Sequence, residues 1–124
     1  TAVATLKYRD GRLAVIKNSR RATYGYDQRI EVLGSKGLLQ VQNMVENSMV
    51  KSTEMGVESS KPEYFFLERY KSAYQNEWTA FVTAVKTKTP MPVSLSDGIA
   101  ALAIAEAAAA SAEMSSEVEI ANFL

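Results

Sequence analysis

The hydrophobic period of this chain changes once, near residue 60, and that single change limits the folds open to it. Up to Ser59, apolar and polar residues alternate with the period of two that a strand imposes. In the second such run Leu13, Val15, Lys17 and Ser19 share one face, and Ala14, Ile16, Asn18 and Arg20 share the other. Beyond Pro62 the spacing becomes helical: Leu67, Tyr70, Tyr74, Trp78, Phe81 and Val85 recur every three or four residues as one apolar stripe. Strands written first and helices second give no βαβ alternation, hence no parallel doubly wound sheet. The fold class that remains is α+β: an open, mainly antiparallel sheet with two longer helices packed on one face, in a single domain over residues 1–124.

Punctuation residues place the elements. Asp10-Gly11 between Ala2–Tyr8 and Arg12–Arg20 signals a hairpin in which both turn positions favour positive φ. A third strand is expected over Asp27–Leu33, followed by a Gly34-Ser35-Lys36-Gly37 turn. Gly37–Asn43 and Ser48–Met55 read as two further strands paired with each other, and Gly56–Pro62 as a connector. The first helix is expected from Glu63 to about Lys88, closed by Thr89-Pro90-Met91-Pro92. The second is expected from about Asp97 to Glu117, capped by Ser94 or Ser96, with Val118–Leu124 as an edge strand.

Composition removes whole classes of function. The 14 basic and 14 acidic side chains cancel, so nothing marks a nucleic-acid or anionic membrane surface. No uninterrupted run approaches the roughly 20 apolar residues of a membrane span, and the alanine-rich stretch 100–112, broken by Glu106, reads as a packed helix. With no cysteine and no histidine, disulfides, thiolate nucleophiles, His-based triads and most zinc sites are excluded, and no metal site is expected. That usage suits a cytoplasmic protein. Neither G-x-G-x-x-G nor G-x-x-x-x-G-K-[ST] occurs, so the chain is not expected to hold a dinucleotide by itself. No initiator Met is present and the chain starts in strand-like sequence, which suggests a piece of something longer.

Two places concentrate chemistry. Tyr24-Gly25-Tyr26-Asp27 joins two phenols, a glycine and a carboxylate at a bend. Its aromatics either fill core edges or point one phenol into a cleft, where it can donate to and accept from a polyol. The start of the first helix, Tyr64 to Tyr74, brings Phe66, Tyr70 and Tyr74 near one face. Such a face either packs against the sheet or offers aromatic walls with hydroxyl tips to a cyclic polyol. Glu68, Glu77, Glu106 and Glu113 form no convincing carboxylate pair and read as solvated or locally paired.

The blocks R-R-x-x-Y-G-Y-D-Q-R-x-E-V-x-G (Arg20–Gly34), F-x-x-R-Y-x-x-A-Y-x-x-E (Phe66–Glu77) and P-x-S-x-x-D-G-x-x-A-L-x-I-A-x-A-A (Pro92–Ala108) resemble, in order and spacing, the C-terminal domain of inositol 2-dehydrogenases in the glucose–fructose oxidoreductase/inositol dehydrogenase (Gfo/Idh/MocA) family. The resemblance implies an N-terminal Rossmann domain, absent from this chain, that binds NAD, and an α+β domain that closes over the nicotinamide. It implies hydride transfer from a ring carbinol, an inositol or related polyol as substrate, and homo-oligomerisation through the open sheet face. The family's catalytic E-K-P lysine and D-x-x-x-H residues have no counterpart here, so no catalytic residue is assigned and the chain alone is expected to be inactive. Matching positions imply polyol contacts for Tyr26 and Tyr74, with Phe66 as an aromatic lining residue. The competing reading is a free-standing sheet module that assembles subunits or binds a partner or sugar without catalysis.

Overall fold

A computed structural model describes all residues, Thr1–Leu124. It contains six strands, β1 (Ala2–Lys7), β2 (Leu13–Asn18), β3 (Ile30–Gly34), β4 (Gly37–Val41), β5 (Val50–Thr53) and β6 (Gly56–Ser59), followed by helices α1 (Phe66–Arg69), α2 (Lys71–Thr87) and α3 (Leu95–Met114) and a closing 3₁₀ turn, Ile120–Phe123. This is the α+β order: antiparallel strands, then helices. The strands pair as three hairpin ladders, β1 with β2, β3 with β4 and β5 with β6. The chain divides into two compact units, one of residues 1–2 and 17–75, the other of residues 3–16 and 76–124.

Local chemistry explains where the expected boundaries hold and where they move. In the first hairpin only Gly11 takes positive φ, at 88°; Asp10 does not. The loop closes through Tyr8 N–H to the Arg12 carbonyl (2.9 Å) and Gly11 N–H to the Tyr8 carbonyl (3.0 Å). The Asp10 carboxylate then accepts from Arg12 Nε at 2.8 Å. A three-residue loop with one left-handed glycine replaces the two-residue turn that Asp-Gly suggests.

β4 pairs with β3, not with β5. The short loop Ser35-Lys36 brings Ile30 opposite Val41, Val32 opposite Leu39 and Gly34 opposite Gly37. The reach of a two-residue loop favours the nearest strand. β5 is therefore free to pair with residues 56–59, which form a strand rather than a connector, with Thr53 opposite Gly56 and Val50 opposite Ser59. Gly56, at φ 139°, permits the tight return. Lys51 and Glu58 face each other across that ladder at 3.2 Å.

The first helix is two. α1 is a single turn, Tyr70 leaves helical geometry at φ −103° and ψ 7°, and α2 restarts at Lys71. α2 ends before Pro90, with Lys88 in the left-handed region (φ 54°) and Thr89 N–H bonded to the Ala84 carbonyl. α3 begins at Leu95 behind a reciprocal cap: Ser94 Oγ accepts from Asp97 N–H, and the Asp97 carboxylate accepts from Ser94 N–H at 2.8 Å and Ser94 Oγ at 2.7 Å. It stops at Met114, where Ser115 turns left-handed (φ 51°) and Ser116 N–H returns to the Ser111 carbonyl. The tail beyond it is a 3₁₀ turn against α3, not an edge strand: Asn122 N–H bonds back to the Glu119 carbonyl, a local closure that strand pairing does not make. By length and composition α3 is apolar enough to cross a membrane, at mean hydropathy 1.3. Averaging over alanines hides Asp97, Glu106 and Glu113 on the same helix.

The buried side chains are alanines of the second unit, Ala84 on α2 and Ala103 and Ala107 on α3. Large apolar groups stay open to solvent. On one face of the β3–β4 ladder Ile30, Val32, Leu39 and Val41 lie side by side and exposed, Leu39 at 73%. Together they form a contiguous exposed apolar face.

The Asp97 cap gives acid stability a sign. Hydrogen bonds from the Ser94 backbone and hydroxyl hold the Asp97 carboxyl below its ordinary value of 3.8. A carboxyl lowered by folding contributes stability that is complete above its unfolded value and is lost as pH falls through its folded one. The gap in Tm between wild type and Asp97→Asn is therefore expected to be largest at neutral pH and to narrow below about pH 4. Scanning calorimetry at pH 7 and pH 3 measures it, and a constant gap would contradict this account.

Candidate functional site

The residues between β2 and β3 do not join a ladder, and their backbone partners lie elsewhere. Tyr26 N–H donates to the Glu63 carbonyl at 2.8 Å. The Asn43 side chain then clamps the next step: its Oδ1 accepts from Gln28 N–H and its Nδ2 donates to the Tyr26 carbonyl, both at 3.1 Å. These substitutes for sheet pairing explain why β3 starts at Ile30 rather than at Asp27. They also fix Tyr26 and Gln28 with their side chains two residues apart.

Gly25 makes the approach possible. It sits at φ 126°, and a Cβ there would lie 2.9 Å from the Glu63 carbonyl oxygen and 3.2 Å from Pro62 Cβ. Beside it, Tyr24 donates to Asp27 Oδ2 at 2.7 Å, and Arg29 reaches both Asp27 oxygens at 2.9 Å. The Tyr24 hydrogen bond, with Arg29 beside it, lowers the Asp27 pKa against the opposing effect of burial. The same bond raises that of the Tyr24 phenol. Asp27 is thus an ionised brace for the bend.

Tyr26 then meets Tyr70, the residue between α1 and α2. Its hydroxyl donates to the Tyr70 hydroxyl at 3.3 Å, and the Tyr70 hydroxyl donates to Gln28 Oε1 at 2.9 Å. The Tyr26 and Tyr70 rings meet edge to face at 5.7 Å, and Tyr70 meets Tyr74 the same way at 6.2 Å. The Arg69 guanidinium lies 5.6 Å from the Tyr70 ring centre. Arg69 Nε and Glu63 Oε2 are buried in this region without hydrogen-bond partners. Bonding to Tyr70, then burial, raises the Tyr26 phenol pKa, with the Arg69 charge opposing. A phenol so raised stays protonated at neutral pH. Its hydroxyl can therefore hydrogen-bond a hydroxylated ligand.

Of the three positions singled out from sequence, Tyr26 and Tyr74 come together through Tyr70, with Tyr74 half exposed. Phe66 is half-buried at the start of α1, where it packs on Phe65 at 4.6 Å. Sequence reasoning placed Tyr70 on the aromatic face with Phe66 and Tyr74 but gave it no contact of its own, and it left Gln28 and Asn43 without a role. Two had a signal: Gln28 is two residues from Tyr26, and Tyr70 is one helical turn before Tyr74. Asn43, seventeen residues beyond Tyr26, had none. A separate open depression of about 320 Å³ along β3 and β4 is lined by Arg29, Ile30, Glu31, Gln40, Val41 and Gln42. It contains none of the tyrosines.

With this geometry in hand, likeness to known proteins becomes informative. A family model described as the C-terminal alpha/beta domain of an oxidoreductase family (Gfo/Idh/MocA) matches residues 1–120. The chain belongs to the Gfo/Idh/MocA oxidoreductase family. It is 48% identical over 98 residues to myo-inositol 2-dehydrogenase of Thermotoga maritima, a match covering 79% of this chain and 29% of that protein. The crystal structure of a probable dehydrogenase from Thermotoga maritima superposes with a TM-score of 0.93 at 44% identity, over 98% of this chain and 37% of that one. A myo-inositol dehydrogenase from Corynebacterium glutamicum superposes with a TM-score of 0.85 at 36% identity, over 92% of this chain and 34% of that one. The chain thus spans about a third of the length of its relatives, and α3 is an element of the matched domain.

Proposed function

We propose that this chain is a single α+β domain over residues 1–124, the C-terminal domain of a cytoplasmic, NAD-dependent inositol 2-dehydrogenase. In this reading it supplies one wall of the polyol pocket and a subunit interface, and it is inactive alone. The carrying observation is the hydroxyl cluster of Tyr26, Tyr70 and Gln28, aligned edge to face with Tyr74. The phenols of Tyr26 and Tyr74 offer hydroxyls on rigid aromatic rings, which suits a ring with apolar C–H surfaces and peripheral hydroxyls. Likeness to proteins named inositol dehydrogenases supports the same substrate class.

The residues present do not fit NAD: no glycine-rich phosphate loop occurs in the chain. In the intact enzyme a Rossmann domain would hold the nicotinamide, which would supply the hydride acceptor. The role left to this chain is to hold the ring. Tyr26 and Tyr74 contact substrate hydroxyls and Phe66 lines the pocket, so that the reacting carbon is oriented before transfer. The exposed β3–β4 face of Ile30, Val32, Leu39 and Val41 supports assembly into a homo-oligomer.

In the intact enzyme, Tyr26→Phe is expected to raise KM for inositol roughly three- to tenfold, the worth of one neutral hydrogen bond. NAD affinity should be unchanged. Steady-state kinetics with each substrate varied checks this, and normal inositol kinetics in the variant would sink the assignment.

A further inference from the structure

We propose that Tyr70 and Gln28 are positioning residues that present Tyr26 to the ligand as a hydrogen-bond acceptor. The inference rests on the reading of Tyr26 as a substrate contact and adds the direction of that contact. A phenol carries one hydrogen and two lone pairs, whereas an amide oxygen only accepts. Gln28 Oε1 takes the Tyr70 hydrogen at 2.9 Å, so the Tyr70 oxygen is left to accept and takes the Tyr26 hydrogen at 3.3 Å. The polarity of the chain is set at its Gln28 end. The link between the phenols is longer than an ordinary O–H···O bond, and the edge-to-face contact of the rings at 5.7 Å maintains it. Gln28 itself is anchored through its backbone by Asn43.

Tyr26 has then spent its hydrogen inside the protein. What it offers outward is lone-pair density, and its complement is a hydroxyl that donates. The ligand class selected at this position is an alcohol group of a polyol, rather than a carbonyl, an ether or a phosphate oxygen. Neither Tyr70 nor Gln28 needs to touch the ligand for this. Each acts through Tyr26, and each contributes to specificity without being a catalytic residue.

The test uses the intact enzyme and inositol. Tyr70→Phe and Gln28→Leu each remove a link, and each is expected to raise KM for inositol roughly three- to tenfold while kcat and KM for NAD stay within about twofold. Gln28→Glu keeps an acceptor at the end of the chain and is expected to restore the inositol KM. Among inositols carrying one fluorine in place of a hydroxyl, one position should be penalised in wild type and not in Tyr26→Phe. Fluorine accepts but does not donate, so at that position the penalty should shrink in Tyr70→Phe, where the Tyr26 hydrogen is free. A wild-type inositol KM in Gln28→Leu, a Gln28→Glu as impaired as Gln28→Leu, or an undiminished fluorine penalty in Tyr70→Phe overturns the inference while a raised KM in Tyr26→Phe leaves the substrate contact standing. A normal inositol KM in Tyr26→Phe overturns both.

Discussion

Gly25→Ala is expected to destabilise the fold around the tyrosines by about 2–5 kcal/mol and to abolish most inositol binding in the intact enzyme. Two costs add. The first is conformational: at φ 126° an L side chain is strained whatever surrounds it. The second is steric, because the added Cβ would meet the Glu63 carbonyl oxygen at 2.9 Å and the Pro62 carbonyl oxygen at 3.2 Å. Those are backbone atoms and cannot swing aside. Relief requires the segment of residues 61–63 to withdraw, which breaks the 2.8 Å bond from Tyr26 N–H to the Glu63 carbonyl. Gly11 provides the control. It too has positive φ, at 88°, but nothing lies within 4 Å of its added Cβ. Gly11→Ala should therefore lose only the conformational part, about 1 kcal/mol. Urea unfolding of both variants separates the terms, and equal losses would refute the steric one.

The comparison of those glycines shows what sequence can and cannot say. Gly11 announces itself, since Asp-Gly between alternating runs marks a hairpin from local chemistry alone. Gly25 also marks a bend, but its reason is the approach of residues 62 and 63, nearly forty positions away, which no local pattern encodes. The same division runs through the fold. The change of period, the Ser94–Asp97 cap and the stop before Pro90 were legible because each is set within one helical turn. The pairing of β4 with β3, the strand at Gly56–Ser59 and the break at Tyr70 depend on competition between partners, and local alternation does not rank partners. In the candidate site Tyr26 and Tyr74 stood out as residue types in a recognisable frame. Tyr70 was read as part of the apolar stripe and of the aromatic face, but its link to Tyr26 was not, because its hydroxyl partner Gln28 lies 42 residues away.

Asn43 carries the largest effect among the residues that sequence left without a role. Its amide replaces two ladder hydrogen bonds at the place where β3 has not yet begun, accepting from Gln28 N–H and donating to the Tyr26 carbonyl. Asn43→Ala leaves one donor and one acceptor of a half-buried backbone without partners, at about 1–2 kcal/mol each, so a loss of about 2–4 kcal/mol is expected. Asn43→Asp keeps the acceptor for Gln28 N–H and loses the donor, so it should fall between alanine and wild type. The functional loss should exceed what unfolding alone explains. Asn43 holds the backbone from which both Tyr26 and Gln28 project, and freeing it uncouples the Tyr26–Tyr70–Gln28 chain at both ends. At temperatures well below the variant's Tm, where nearly all molecules are folded, KM for inositol should still be raised while KM for NAD is not. An Asn43→Ala enzyme that loses stability yet keeps a wild-type inositol KM would show that the clamp supports the fold without aiming the phenol.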